Sequence, residues 1–377
     1  MFYLDYNATS PLRESVKSAM VNALDIFGNA SSVHQAGRKA RSMIEDARDI
    51  TAHYLGVLPQ NIIFTASATE ANHLLLRGLA CDAIITSATE HDSVLASLAF
   101  TQAFKNKATY YIDHLPDGTL SQDSFDNIMS DIHKHNYKPL LSLMKVNNET
   151  GIIQNLQYFS DKIHEVGGYV HSDCVQALGK IPFDSWLWQC DAITLAGHKV
   201  GGCKGVGLLM LKENIALSPL LTGGGQEMRR RAGTENGVAI TGFHALMQII
   251  SNKKTIGIEL DNIALMRDYI EDEIQKINPH ALIVAKQSLR VSNTICLISS
   301  GIEAEKQVII ADLNKVCISS GSACSSGKVK SSHVLKAYGY DAIQSQSAMR
   351  ISLGFLSNDI DCDAFLKAYM AISKRIF

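Results

Sequence analysis

Lys199 stands just behind the apolar run Ala192-Ile193-Thr194-Leu195, in Gly197-His198-Lys199. An amine held at such a strand end loses basicity and becomes able to form a Schiff base with a carbonyl. Asp173 closes another run, Tyr169-Val170-His171-Ser172, and Gln176 follows one turn later. A carboxylate there could keep a proton on a pyridine nitrogen, and the amide could hydrogen-bond the phenolic oxygen of the same ring. Ser67-Ala68-Thr69 lies between a strand and a helix, where free backbone N–H groups and the Thr69 hydroxyl suit a phosphate. His91, in Thr89-Glu90-His91, could stack on a ring and shuttle protons. Each feature also has an ordinary reading: a solvated lysine, a helix-capping aspartate, a plain N-cap, a satisfied histidine. Their order along the chain is more telling. Phosphate site, histidine, Asn148, Asp173 with Gln176, then Lys199 each follow a strand, and together they match the needs of pyridoxal 5'-phosphate.

These positions require elements that bring strand ends together. Ile62–Thr65, Ala83–Thr86, Leu140–Met144, Gly168–His171 and Ala192–Leu195 read as buried strands alternating with helices, and Gly207–Leu211 as one more. That pattern predicts an α/β fold with a mostly parallel sheet covered on both faces, whose ligands sit at the carboxyl ends of the strands. A long amphipathic helix over Ser251–Lys276 leads to a smaller C-terminal part with strands near Ser292–Ile298 and Met349–Leu353.

Composition narrows the function classes. The 377 residues are 46% hydrophobic and 19% charged, which fits a globular chain with large cores. The net charge of −2 leaves no footprint for direct nucleic-acid or anionic-membrane binding. No apolar run reaches the roughly 18 residues that span a bilayer. The first residues lack a basic, then apolar, leader pattern, so a cytoplasmic protein is expected. The eight cysteines form no CxxC pair and no Cys/His metal spacing, so no metal site is expected. Gly201-Gly202-Cys203-Lys204-Gly205 matches neither nucleotide fingerprint.

Across essentially its whole length the sequence resembles the group I, NifS/IscS-like cysteine desulfurases of the class V aminotransferase fold. The resemblance rests on Tyr3-Leu4-Asp5-Tyr6-Asn7-Ala8-Thr9, Gly28-Asn29-Ala30-Ser31-Ser32-Val33-His34 and Ala68-Thr69-Glu70-Ala71-Asn72. It continues through Asn147-Asn148-Glu149-Thr150-Gly151, Asp173-Cys174-Val175-Gln176, Gly197-His198-Lys199 and Arg231-Ala232-Gly233-Thr234. Its most specific run is Ser319-Ser320-Gly321-Ser322-Ala323-Cys324, and Arg350-Ile351-Ser352-Leu353-Gly354 closes it.

The resemblance implies a pyridoxal-phosphate transferase of fold type I, with a large domain over 12–250 and a small α+β domain from 1–11 and 251–377. It implies that Lys199 carries the cofactor, Asp173 pairs with the pyridine nitrogen, Gln176 with the phenolic oxygen, and His91 stacks on the ring. Ala68, Thr69 and His198 hold the phosphate, and Thr234 reaches it from the other subunit of a homodimer. Asn148 and Arg350 bind the carboxylate of L-cysteine, and Cys324 takes its sulfur as a persulfide for a sulfur-acceptor or scaffold protein. The acceptor would serve iron–sulfur cluster assembly or tRNA thiolation. Selenocysteine lyase, another reaction on the same scaffold, and a non-catalytic scaffold partner are the alternatives. Four positions depart from the family pattern: Ala196 replaces a Ser or Thr, Cys203 a Pro, Lys145 a His, and Phe355 an Arg. Ala196 removes one phosphate hydroxyl and predicts looser cofactor binding.

Overall fold

The short apolar runs form strands, in a computed structural model that describes residues 1–183, 186–321 and 331–375. In chain order they are β1 Phe2–Tyr3, β2 Ile62–Thr65, β3 Ala83–Ser87, β4 Ala108–Ile112, β5 Pro139–Ser142, β6 Tyr169–Asp173 and β7 Ala192–Ala196. They continue as β8 Gly207–Leu211, β9 Leu282–Ile283, β10 Thr294–Ile298, β11 Val316–Cys317, β12 Ser319–Ser320 and β13 Ala348–Ser352.

Seven of them build one sheet in the order β2-β8-β7-β6-β5-β3-β4. Five neighbouring strands are parallel, whereas β8 runs antiparallel to both β2 and β7. The reason is local. Only Gly197–Val206 joins β7 to β8, and a parallel return needs a crossover of about a dozen residues or more. Because side chains alternate across a strand, Ile62 and Phe64 enter one core with Leu141 and Ile193, while Ile63 enters another with Ile84 and Leu209. Both faces are therefore dry, which is why these strands lack a polar stripe. The edge strand β4 was not apparent from the sequence, because most of its residues are half-exposed and it carries no continuous apolar run.

A four-stranded sheet, β12-β13-β10-β9, forms apart from the first and is antiparallel throughout. Ile295, Leu297, Met349 and Ile351 share a core with Leu4, Phe365 and Tyr369. The helix Lys253–Ile277 contributes Ile263, Ile270 and Ile274 to that core, close to the span expected for it. The first residues join this sheet's side: β1 pairs in parallel with β11, and Asp5 bridges Ser352. Beyond Asp5 the chain crosses to the large sheet, where Ser10 donates its N–H to the His198 carbonyl at 2.7 Å. That crossing places residues 7–9 over the carboxyl ends of β6 and β7.

Candidate active site

The polar loops behind the strands converge on a cavity of about 570 Å³. Its lining includes Ala68, Thr69, His91, Asn148, Asp173, Gln176, His198, Lys199 and Arg350. Thr234 is exposed and is not among these residues. Cys324 lies outside the described residues.

At one end, Ser67 caps the helix Ala68–Gly78 by accepting the Glu70 N–H at 3.2 Å. The turn packs so closely on the start of β8 that a Cβ at Gly207 would stand 2.4 Å from the Ser67 carbonyl carbon. Glycine there lets the helix N-terminus settle against the sheet, where Ser67, Ala68 and Thr69 line the cavity. Asn72, one turn beyond Thr69, donates to Asp173 Oδ2 at 2.8 Å and to Ser93 Oγ at 2.9 Å. Asp173 Oδ1 accepts the Val175 N–H at 3.0 Å. His91 Nδ1 accepts the Ser93 N–H at 3.1 Å, and the residue lines the cavity. A continuous polar chain thus runs from His91 through Ser93 and Asn72 to Asp173. The buried Asn72 Oδ1 has no partner.

Lys199, just past β7, donates to the Asn7 carbonyl at 2.7 Å and the Ala8 carbonyl at 3.1 Å. Burial, helped by the nearby Arg350 cation, brings its pKa down to about 8. Burial also brings His198 down to about 4, with Lys199 and Lys204 adding repulsion, so its ring is neutral near pH 7. His171 lies behind Asp173 on β6, between Ser142 Oγ at 2.9 Å and Thr194 Oγ1 at 3.1 Å. Burial lowers it to about 4 as well, so it supports the sheet as a neutral ring.

The opposite wall comes from the small sheet. Arg350 on β13 is buried, ion-paired to Asp5 at 2.9 Å, and donates to the Asn148 carbonyl at 3.2 Å. Its Nε has no partner. A buried guanidinium N–H left unpaired beside an open cavity calls for an acceptor from outside, and a carboxylate fits that fork. Asp5 Oδ2 accepts from Ser319 Oγ at 2.8 Å, and Ser319 pairs with Arg350 across β12 and β13.

Several functional neighbours carried no assigned role in the sequence reading. Glu149 accepts from Ser332 Oγ at 2.6 Å, and burial raises its pKa to about 7 despite that bond and Arg350. Glu90 accepts the Met144 N–H at 2.7 Å, and complete burial pushes its pKa far above the usual carboxylate range. Asn72 and Lys180 are buried too, and the spacing of Asn72 from Thr69 was the available signal for that one. Lys145, a departure from the family pattern, donates to the Gln154 carbonyl at 2.7 Å and stacks on Trp186, away from the cavity lining. Phe355 packs under the Arg13 guanidinium at 4.0 Å. Among the described residues, no cluster of three His, Cys, Asp or Glu could hold a metal.

The arrangement suits pyridoxal phosphate: an amine of lowered basicity, a fixed carboxylate, a helix N-terminus for phosphate, and a buried arginine with a free N–H. The donor set offers each part of that group a partner of the right sign.

Comparison with known proteins gives the family of the chain. The family model described as aminotransferase class-V matches residues 2–365. An IscS-like cysteine desulfurase from Mycobacterium tuberculosis is 34% identical over 379 residues, covering 97% of this chain and 95% of the relative. A NifS-like protein from Rickettsia africae, solved by X-ray methods, superposes with a TM-score of 0.89 at 30% identity, covering 99% of both chains. SspA, solved in complex with cysteine, superposes with a TM-score of 0.79 at 28% identity, covering 94% of this chain and 99% of its own.

Proposed function

Because this chain belongs to the class-V aminotransferase family, we propose that it is a pyridoxal-phosphate-dependent cysteine desulfurase that turns L-cysteine into L-alanine and passes the sulfur on through Cys324. The observation that carries the reading is the meeting of Lys199, Asp173 and Arg350 in one cavity, with Lys199 lowered to about 8. Lys199 and Asp173 come from the large sheet and Arg350 from the small one.

Lys199 would carry the cofactor, Asp173 would keep its pyridine nitrogen protonated, and Ala68, Thr69 and His198 would receive its phosphate. His91 would lie on the ring, and Gln176 would meet the phenolic oxygen. When bound, the cofactor supplies an electron sink for charge at the substrate α-carbon. Arg350 and Asn148 take the substrate carboxylate and so fix which bond faces Lys199. Lys199, half neutral near pH 8, removes the α-proton and can return one to the carbon skeleton. Cys324 attacks the substrate sulfur as a thiolate, with His91 relaying its proton. The C–S bond breaks, Cys324 keeps the sulfur as a persulfide, and the three-carbon fragment leaves as alanine after protonation.

What supports the role of Cys324 is the position of its flanks. It follows Gly321 by three positions in the sequence and lies outside the described residues. Gly321 follows the strand paired with Arg350, and Ser332, on the far side, is bonded to Glu149 beside Asn148. A large cofactor domain over 12–250 and a small domain from 1–11 and 251–377 belong to the same reading, supported by the separate cores of the two sheets. So does a homodimer in which Thr234 serves the partner's cavity, supported by its exposure in a loop tied by Arg231 to Glu70 at 2.7 Å. Cytoplasmic working is supported by the seven described cysteines, all free thiols. No helix among the described residues is long and apolar enough to cross a membrane.

The decisive experiment is Cys324→Ser. The variant should keep the visible absorbance of the loaded enzyme and its change on adding cysteine, and lose nearly all sulfide release. Wild-type enzyme given cysteine without reductant should gain one sulfur atom on the Cys324 peptide. Sulfur on Cys317 or Cys203 instead, or normal turnover by the variant, overturns the reading.

A further inference from the structure

A second lysine is buried behind the first. Lys180 lies beyond Gly179, and its Nζ sits 2.6 Å from Gln176 Oε1 and 2.8 Å from Asn7 Oδ1. It does not line the main cavity. It lines a small hollow of about 20 Å³ behind Lys199, which Asn293, Arg13 and Glu259 also border.

The chemistry of the partners fixes the amides. The Asn7 carbonyl can only accept, and it faces Gln176 Nε2 at 3.0 Å. The other end of that amide must then be oxygen, and Lys180 must donate to it. Asn7 is fixed in the same way. Its Oδ1 takes Lys180 and Asn293 Nδ2 at 3.0 Å, and its Nδ2 donates to Thr294 Oγ1 at 2.8 Å and the Asn148 carbonyl at 3.2 Å. Burial, together with the facing Lys199 and Arg350 cations, pushes the Lys180 amine toward its neutral form. A neutral amine still offers the two N–H bonds that these oxygens take, without a third cation beneath the cavity.

We propose that Lys180 is a positioning residue for the cofactor: by holding the Gln176 carbonyl away from the cavity, it commits the Gln176 N–H to the ring oxygen. This rests on the cofactor reading given above. Without Lys180, the Gln176 oxygen loses its donor, the Asn7 carbonyl alone still orders the amide, and the Gln176 N–H is held less firmly toward the ring oxygen.

The test is a pH titration of the visible absorbance of the loaded protein. An oxyanion deprived of its donor holds its proton more tightly. Lys180→Met should therefore move the absorbance midpoint up by about one pH unit, a tenfold change in the proton equilibrium and of the size one charge-assisted hydrogen bond provides. The dissociation constant for pyridoxal phosphate, measured on the apo-protein, should rise several-fold. Gln176→Ala should give a similar shift, and adding Lys180→Met to it should change the midpoint little further, because both act through one amide. Lys180→Gln, which keeps an N–H, should fall between wild type and Lys180→Met, and it carries the same comparison if Lys180→Met fails to fold. An unmoved midpoint in either Lys180 variant, or shifts that add in full over Gln176→Ala, overturns the proposal. A visible band that survives in Lys199→Ala overturns instead the cofactor reading beneath it.

Discussion

Two hollows of nearly equal size lie at opposite edges of the seven-stranded sheet. One, of about 570 Å³, holds Lys199, Asp173 and Arg350. The other, of about 600 Å³, is bordered by His53, Tyr54, Phe183, Leu187, Trp188, Met210 and Lys212. Leu187 and Trp188 precede β7, and Met210 and Lys212 close the antiparallel β8, so this second hollow lies where the parallel strands begin. Room is therefore not what distinguishes them. At the carboxyl ends, loops of several strands point polar groups inward, and Asn72 and Arg350 keep buried polar atoms unpaired. At the other edge, Lys212 is already engaged by the Trp188 carbonyl at 2.9 Å and by Asp191 at 3.5 Å. The direction of the strands decides which hollow collects reactive groups.

The largest test of this contrast is Lys199→Ala. It should abolish the visible absorbance of the loaded protein and lower turnover by about a thousandfold or more, as loss of a proton-transfer group does. A visible band at full strength would remove Lys199 from its place in the first hollow.

Glu149 offers a test by pH. Its ordinary pKa is 4.5, and in the folded protein it is raised to about 7. The folded state therefore binds more protons than the unfolded state between these values. Stability from this group is present below about pH 4.5 and is lost as pH rises through about 7. The shift corresponds to about 3 kcal/mol. Urea unfolding of wild type and Glu149→Gln should show the variant gaining on the wild type by an amount of that order between pH 5 and pH 8. Parallel curves for the two proteins would show that the carboxyl keeps its proton, or never needs one, throughout that range.

Ala196 ends β7 inside the first hollow and is buried. Ala196→Ser should tighten pyridoxal phosphate several-fold to tenfold, since a hydrogen bond to a charged group is worth roughly 1.5–3 kcal/mol. An unchanged dissociation constant would mean that another donor already fills that place. The smallest effect belongs to the second hollow. His53→Ala, at an exposed position, should leave turnover as it is and stability within about 0.5 kcal/mol. A clear loss of activity there would erase the distinction between the two edges.

The parts of the fold and site that could be read in the sequence are those written in consecutive residues. Ala192–Ala196 with Lys199, and Tyr169–Asp173 with Gln176, announce a strand and the polar group behind it in one short stretch. The antiparallel turn of β8 was less plain, because it depends on the shortness of the Gly197–Val206 link rather than on residue type. Hidden altogether were the contacts that join distant segments. The pairing of Arg350 with Asp5, and the grip of Lys180 on Asn7 and Gln176, depend on how two sheets are set against each other. No periodicity records that. A lysine in a helix-like stretch reads as solvated until its neighbours are known.

The crossing of residues 4–10 between the sheets has a consequence for when the protein becomes competent. The Asn7 N–H binds Ser352 Oγ at 2.9 Å, across 345 positions of sequence, and Ser352 donates its own N–H to the Leu4 carbonyl at 2.8 Å. The same short stretch supplies the carbonyls that hold Lys199. During synthesis residues 4–10 must wait for β13, 345 positions further along, before they can settle. The large sheet can assemble while the ribosome is still working, but the seat of the reactive lysine cannot be finished until β13 has been released. Such long-range closure is slow. A nascent chain would thus hold a nearly complete large-sheet core and an incomplete catalytic centre, and would remain inert until β13 has emerged.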